Sequence, residues 1–576
     1  MSKLNVDQKN IISLFGDKSS NFIIPDYQRP YAWTEEECQT LWEDIFEFAF
    51  PNGEYKDFNS DEEYYLGPIV TFKNEENKKE VIDGQQRLTT LMLLLRAFYV
   101  KFNSMKTDES KKTKDLIAKC LWKTDEFGTA NTNELKIDSE VATDKDKDEF
   151  LEILRTGIVE DRQTSKYAKN YRFFQEKIEN FLNEYLDVFS YFPIRILNNC
   201  ILLPIEADNQ NTALRIFSTL NDRGLPLSDA DIFKAQFYKY YKQKGEFIKQ
   251  WKSLEELCNK IFQTITGNNM DELFTKYIYF ERAKKGIKSS TTESLRTFYE
   301  KDSYSLLNND NVLQNLIDLA HFWEDISNQD SEKFSQKVLK KLFVLNYAPN
   351  GMWTYFLSVY FMKNKDENNL LDDEKLYNFL NKITAFIFAY SITNPGVNSL
   401  RTPVYSEMIK IIEEKEITFE DYKFDKNSLI ASINNYGFWN QRPLTKSMLM
   451  WWAFTNENQQ LISLENTYEI EHIYPKNRQE NEKMLSDNKL LDFLGNKAIL
   501  EKRINIRASD YRFEDKKKYY QGYTNQRGTI KEATENEELK QLATSHQDFT
   551  EKDILERNTK IINAFINYLD KNNLIK

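Results

Sequence analysis

The stretch Tyr64–Phe102, YYLGPIVTFKNEENKKEVIDGQQRLTTLMLLLRAFYVKF, changes its hydrophobic rhythm part-way along. A β-branched and aromatic run near 65–73 predicts a strand, the polar residues after it a turn, and 79–82 a second strand. From about Gln85 to Phe102 the apolar residues recur at helical spacing, so the segment reads strand, turn, strand, helix. Upstream, NFIIPDYQRPYAWTEEE gives a strand at 22–25 stopped by Pro25. A helix begins after Thr34, a capping residue followed by Glu35, Glu36 and Glu37. Downstream, 105–200 reads as charged and helical, with DSEVATDKDKDEFLEIL as an exposed connection. ILLPIEA at 201–207 predicts another strand, followed by the helix NTALRIFSTL, the turn NDRGLPLS and a helix at 229–242.

The rest of the chain is different in kind. Between about 245 and 440 only amphipathic, aromatic-rich helical stretches occur, with no internal repeat of fixed period. From 445 the text turns again, with strands at YEIEHIYP and LGNKAIL and a helix at roughly 510–521. With 576 residues the chain is too long for one core. It divides into a mixed region 1–240, a helical scaffold 241–444 and a small mixed region 445–576. Only 16 Gly and 12 Pro agree with an α+β, predominantly helical fold.

Composition narrows the class. Apolar runs such as LTTLMLLL fall short of the roughly 18 to 20 residues of a bilayer span, so no membrane partner is expected. The N-terminus MSKLNVDQKN carries no signal pattern, and Cys38, Cys120, Cys200 and Cys258 show no CxxC spacing, which predicts a reduced, cytoplasmic protein. A net charge of -12 argues against general coating of nucleic acid. Locally the sign reverses: residues 496–531 hold ten Lys or Arg against four Asp or Glu, and Lys516, Lys517 and Lys518 are candidates for DNA-phosphate contact.

Histidine occurs three times, at 321, 472 and 546, and only His472 has chemistry around it. Cutting a phosphodiester needs a base for water and a metal for the phosphate charge. In EIEHIYP, period-two alternation puts Glu469 and Glu471 on one face and Ile470 and His472 on the other. Glu471 therefore reaches a metal only where the strand turns, and Pro475 supplies the break. Read as structure alone, His472 is a half-buried strand histidine. Asn496 and Asn505 follow, side chains able to orient a base or offer a neutral oxygen to a metal.

The other constellation is DGQQR. Asp83–Gly84 turns out of a strand, and Gln85, Gln86 and Arg87 occupy the first turn of an apolar helix, where unpaired N–H groups and a cationic fork suit a polyphosphate. Read as structure alone, Asp83 caps the helix and Arg87 pairs with the acidic 35–44 helix. Gln28–Arg29 is a second polar pair between aromatics, and Gly is too sparse for a Walker loop. Asn221-Asp222-Arg223-Gly224 is either a plain helix stop or a second wall of the same site.

Together, IPDYQRPYAW, DGQQRLTTL and FSTLNDRGLPLS, then EHIYP, LGNKAIL, Asn505 and F-x-x-K, resemble the GmrSD-type modification-dependent restriction enzymes. The resemblance covers roughly 10–240 and 445–540. It implies an N-terminal ParB/sulfiredoxin-like α/β domain binding GTP or ATP through Gln28, Arg29, Asp83, Gly84, Gln85, Gln86 and Arg87, with Asn221 and Arg223 opposite. It also implies a C-terminal HNH (His-Me finger, ββα-metal) domain, with His472 as base, Asn496 holding it or the substrate, and Glu471 and Asn505 on Mg²⁺ or Mn²⁺. Lys476-Asn477 stands where the family often has Gln after the Pro. The expected function is a nucleotide-regulated, metal-dependent endonuclease with NTPase activity, cutting foreign, modified phage DNA. The alternatives are a nucleotide-dependent DNA-binding regulator with an inactive HNH domain, and an RNase toxin using the same His. Nicking or double-strand cleavage depends on whether two such domains meet on one duplex, so a homo-oligomer is left open.

Overall fold

The polar turn at 74–78 joins two strands, closed by the Asn74 amide donating to the Lys78 carbonyl at 3.0 Å. The computed structural model describes residues 5–576 except 7, 142–143, 211, 214–215, 217–227, 242, 265–268, 290, 397 and 526. It divides into two compact units, Met1–Lys252 and Ser253–Lys576.

In the first unit the strands are β1 (Asn5–Val6), β2 (Lys9–Asn10), β3 (Phe22–Ile24), β4 (Tyr64–Lys73), β5 (Lys79–Asp83), β6 (Trp122–Thr124), β7 (Ala130–Leu135), β8 (Ile137–Ser139) and β9 (Cys200–Ala207). The sheet runs β1-β9-β4-β5-β3-β8, with β2 also on β9. It is mixed: β4 is antiparallel to β5 and parallel to β9, while β3 is parallel to both β5 and β8. The helix Gln85–Asn103 leaves β5 and is buried on nearly every face, from Leu88 to Phe102, as a helix apolar all round must be. Thr34 caps the helix Glu35–Ala49 as predicted and forms a full capping box with Glu37, and Trp42 of that helix packs on Phe98 and Phe192.

One expectation is corrected. The stretch 105–200 carries the hairpin β6–β7 and the edge strand β8 as well as helices. DSEVATDKDKDEFLEIL is no exposed connection: Ser139, Val141, Asp144, Phe150, Ile153 and Leu154 are all buried. Its charges mask a short apolar face in the helix Lys147–Thr156 and a strand that completes the sheet beside β3.

The second unit is helical, among the described residues, up to the strands β10 (Tyr468–His472) and β11 (Lys497–Glu501). These pair antiparallel, His472 opposite Lys497, and lead into the short helix Lys502–Ala508. A helix Phe513–Gln521, the small ribbon β12 (Tyr523–Thr524) and β13 (Ile530–Lys531), and the helices Glu537–Ser545 and Glu551–Lys571 follow. LGNKAIL is strand only from Lys497, since Leu494–Asn496 form a 3₁₀ turn. That turn needs its glycine: a Cβ on Gly495 would stand 2.1 Å from the Ile554 carbonyl oxygen and 2.7 Å from the Asn558 amide. Gly495→Ala is expected to lower stability by about 1–3 kcal/mol, read by urea unfolding, because neither backbone group can step aside. No described helix is long and apolar enough to cross a membrane.

Candidate active site

His472 ends β10, half-buried, on the face of its cross-strand neighbour Lys497. Lys497 is fully buried; its ammonium donates to Asp492 Oδ1 at 2.8 Å and to the Phe438 carbonyl. Burial first, then the positive charges of Lys497 and Lys476, push the His472 pKa down to about 3. The imidazole is therefore neutral, and its Nε2 is buried with no hydrogen-bond partner among the described residues. The ring stands at a strand end with that nitrogen free for a partner, though a pKa this low makes it a weak proton acceptor in the site as it stands.

Asn496 shapes the turn that follows. Its Oδ1 accepts from the Tyr474 amide at 2.7 Å, its Nδ2 donates to the Tyr474 carbonyl at 3.1 Å, and its own carbonyl accepts from the Ile473 amide at 2.9 Å. Asn496 thus holds the backbone after His472 rather than the ring. Arg557 braces the other side, one Nη donating to the carbonyls of Leu494, Gly495 and Lys497 while the rest of the guanidinium grips Glu538.

On the opposite face of β10, Glu471 Oε1 accepts from Lys516 Nζ and from the Tyr520 hydroxyl, each at 2.6 Å, and all three side chains are buried. Burial pushes the Glu471 carboxyl up, against the pull of the Lys516 ammonium. Lys516 also donates to the His472 carbonyl at 2.8 Å. Contrary to expectation, Lys516 is no phosphate contact but a bolt between helix and strand, whereas Lys517 is half-buried and Lys518 exposed. Asn505, on the Lys502–Ala508 helix, donates to Glu469 Oε2 at 3.0 Å. Lys497, Asp492, Tyr520 and Arg557 escaped the sequence reading. Only the i,i+4 spacing of Lys516 and Tyr520 was open to it, since the others act across strand register or from distant helices.

In the first unit the DGQQR residues do come together with Gln28 and Arg29. Gln28 Nε2 bridges the carbonyls of Val81 and Ile82, each at 3.2 Å. Gln86 Oε1 accepts from the amides of Ala32 at 2.6 Å and Trp33 at 3.3 Å, and its Nε2 donates to Pro30 O at 3.2 Å. Gln85 Nε2 donates to Arg29 O at 3.1 Å, and its Oε1 is buried with no partner among the described residues. Gly84, at φ 91°, takes the N-cap position with no side chain capping the helix, and Asp83 Oδ1 turns to the Gly84 amide at 2.7 Å. Arg87 donates to Pro68 O at 2.8 Å under Gly67, where a Cβ would touch its guanidinium. Neither plain alternative holds, because Asp83 does not cap the helix and Arg87 turns to the β4 backbone. Burial pushes Asp83 up, opposed by the Arg87 and Arg29 charges. Asn221 and Arg223 lie outside the described residues.

Gln86→Ala is expected to strip the Ala32 and Trp33 amides of their acceptor, at about 1–3 kcal/mol. Faster hydrogen exchange at those two amides checks it, with the Val81 and Ile82 region unchanged.

Residues 11–238 match the model of the GmrSD restriction endonuclease N-terminal domain, and residues 421–564 that of the GmrSD restriction endonuclease C-terminal domain. A comparison with curated proteins gave no match. With both domains present in one polypeptide, the chain belongs to the GmrSD family of restriction endonucleases.

Proposed function

We propose that this restriction endonuclease cuts foreign, modified DNA in the cytoplasm through an HNH-type site in which His472 is the general base. The observation that carries the reading is the unpartnered Nε2 of His472 at the end of a two-stranded ribbon that runs straight into a helix. In that role Nε2 takes the proton of the attacking water, while Lys516 holds the His472 carbonyl and Asn496 the Tyr474 backbone just after it.

Among the described residues no group of three or more His, Cys, Asp or Glu gathers as a metal site. Mg²⁺ or Mn²⁺ asks for less, one or two oxygen ligands beside water and phosphate. What supports the pair is that Glu471 is fixed through Oε1 by Lys516 and Tyr520, the kind of support that orients a ligating carboxylate, although it lies on the face of β10 opposite His472 and Asn505 gives its Nδ2 to Glu469. Glu471 and Asn505 would hold the ion. When bound, it offsets the charge that builds on the phosphate and the leaving oxygen.

The first unit binds and hydrolyses GTP or ATP. Its support is the uncapped start of the Gln85–Asn103 helix beside Arg87 and Arg29, and the orphan Gln85 Oε1, an acceptor that a base or sugar N–H or O–H would satisfy. The ParB-like fold is part of the same proposal. Supercoiled plasmid and modified phage DNA, incubated with Mg²⁺ or Mn²⁺ and with or without GTP or ATP, test both halves. Metal-dependent scission that changes with nucleotide supports them; no scission under any condition, with nucleotide still bound, sinks the nuclease assignment.

A further inference from the structure

Beside the candidate base lies a cavity of about 260 Å³ lined by Trp439, Phe493, Asn435, Lys489, Asp492 and Asn558. It is smaller than the roughly 300–1,000 Å³ of sites that take whole drug-sized ligands, so it suits one ring system. Trp439 stands on its edge and is 52% exposed, so part of its ring is open to a partner. The ring is already seated against a cation: the Arg442 guanidinium lies 4.5 Å from it and 4.6 Å from Tyr436, after Gly437 at φ 61° turns the chain.

We propose that this cavity receives a single nucleobase of the DNA strand being cut, stacked on Trp439, next to the scissile phosphate. The proposal rests on the nuclease reading of His472. Three features select a nucleobase. An indole platform stacks any base, because every base has a π-face, and the guanidinium adds attraction for a strand of negative charge. The wall carries groups that match base edges: the Asn435 carboxamide, the Asp492 carboxylate, and Asn558, whose Oδ1 accepts from the Gly495 amide and leaves its NH₂ as donor. The exposed Lys489 ammonium sits at the same wall, as a contact for the phosphate of the docked nucleotide. The wall is tied to the candidate base through the ribbon, because Asp492 accepts from Lys497, and Lys497 is the cross-strand partner of His472.

The test uses the full chain in EDTA, where DNA binds without being cut, with a fluorescein-labelled duplex and the matching single strand. Trp439→Ala is expected to weaken binding about 5- to 150-fold, the loss of one base stack, and Trp439→Phe to retain most of it. An oligonucleotide carrying 5-iodouracil is expected to photocrosslink to the peptide containing Trp439. Equal affinity in parent and Trp439→Ala, equal loss in the Ala and Phe variants, or crosslinks only elsewhere would overturn the proposal, and so would a parent that binds no DNA. Because binding is read without metal, the two ideas separate. A parent that cuts no DNA but loses affinity with Trp439→Ala keeps the pocket and removes the nuclease. A parent that cuts, with a Trp439→Ala variant that binds and cuts as well, does the reverse.

Discussion

His472→Ala is expected to lower the rate of metal-dependent DNA cleavage about 10²–10⁴-fold, the usual worth of a positioned base, with DNA affinity and the unfolding midpoint at neutral pH nearly unchanged. The imidazole makes no hydrogen bond through Nε2, so its removal orphans nothing. Plasmid nicking under single-turnover conditions measures the rate, and a variant that cuts as fast as the parent would end the assignment. A second signature follows from the depressed pKa. As pH falls below 6.5, the unfolded chain takes up a proton at His472 that the folded chain refuses until about pH 3. The unfolded state then binds more protons, so this residue makes stability fall with acid across that window. In His472→Ala that part of the acid slope disappears, which urea unfolding at several pH values would register.

The largest effect on stability is expected at the bolt between β10 and the Phe513–Gln521 helix. Glu471→Ala leaves the Lys516 ammonium and the Tyr520 hydroxyl buried without their acceptor, and Lys516→Met leaves the carboxylate without its cation. Each single change is expected to cost about 3–5 kcal/mol, the penalty of an uncompensated buried charge. The pair is not expected to sum. Glu471→Gln with Lys516→Met keeps an acceptor for Tyr520 and removes both charges together, so it should recover much of the loss, and a double-mutant cycle in urea built from Glu471→Gln, Lys516→Met and their combination gives the coupling. Additive losses would show that the two side chains do not act as one unit. Lys516→Met is also expected to slow cleavage without touching substrate, because Lys516 holds the His472 carbonyl.

Much of the architecture was legible because it is written locally. The period change across Tyr64–Phe102, the Thr34 cap and the EHIYP strand are each decided within a few residues, and the structure repeats them. Where tertiary pairing decides, the sequence is silent. The edge strand Ile137–Ser139 is three residues long and surrounded by charge, and nothing in it announces that Phe22–Ile24 lies alongside. The site divides in the same way. His472 stood out by rarity, and Asn496 by its place after Gly495, but the role of Asn496 as a lock on Tyr474 needs the fold. Lys516 misled for a plain reason: a run of three lysines looks solvated, yet at helical spacing its three side chains point in different directions, and the first points inward.

Arg557 has a consequence for how the molecule is made. Its guanidinium clasps the carbonyls of Leu494, Gly495 and Lys497, so the ribbon that ends at His472 is shut from a helix, Glu551–Lys571, that lies far downstream in the chain. During synthesis the histidine leaves the ribosome well before its clasp. A growing chain that stops short of residue 551 carries the whole EHIYP–LGN–Asn505 set without the guanidinium that bridges the Leu494, Gly495 and Lys497 carbonyls. The clasp on the ribbon therefore follows synthesis of the helix that carries Arg557 and cannot precede it.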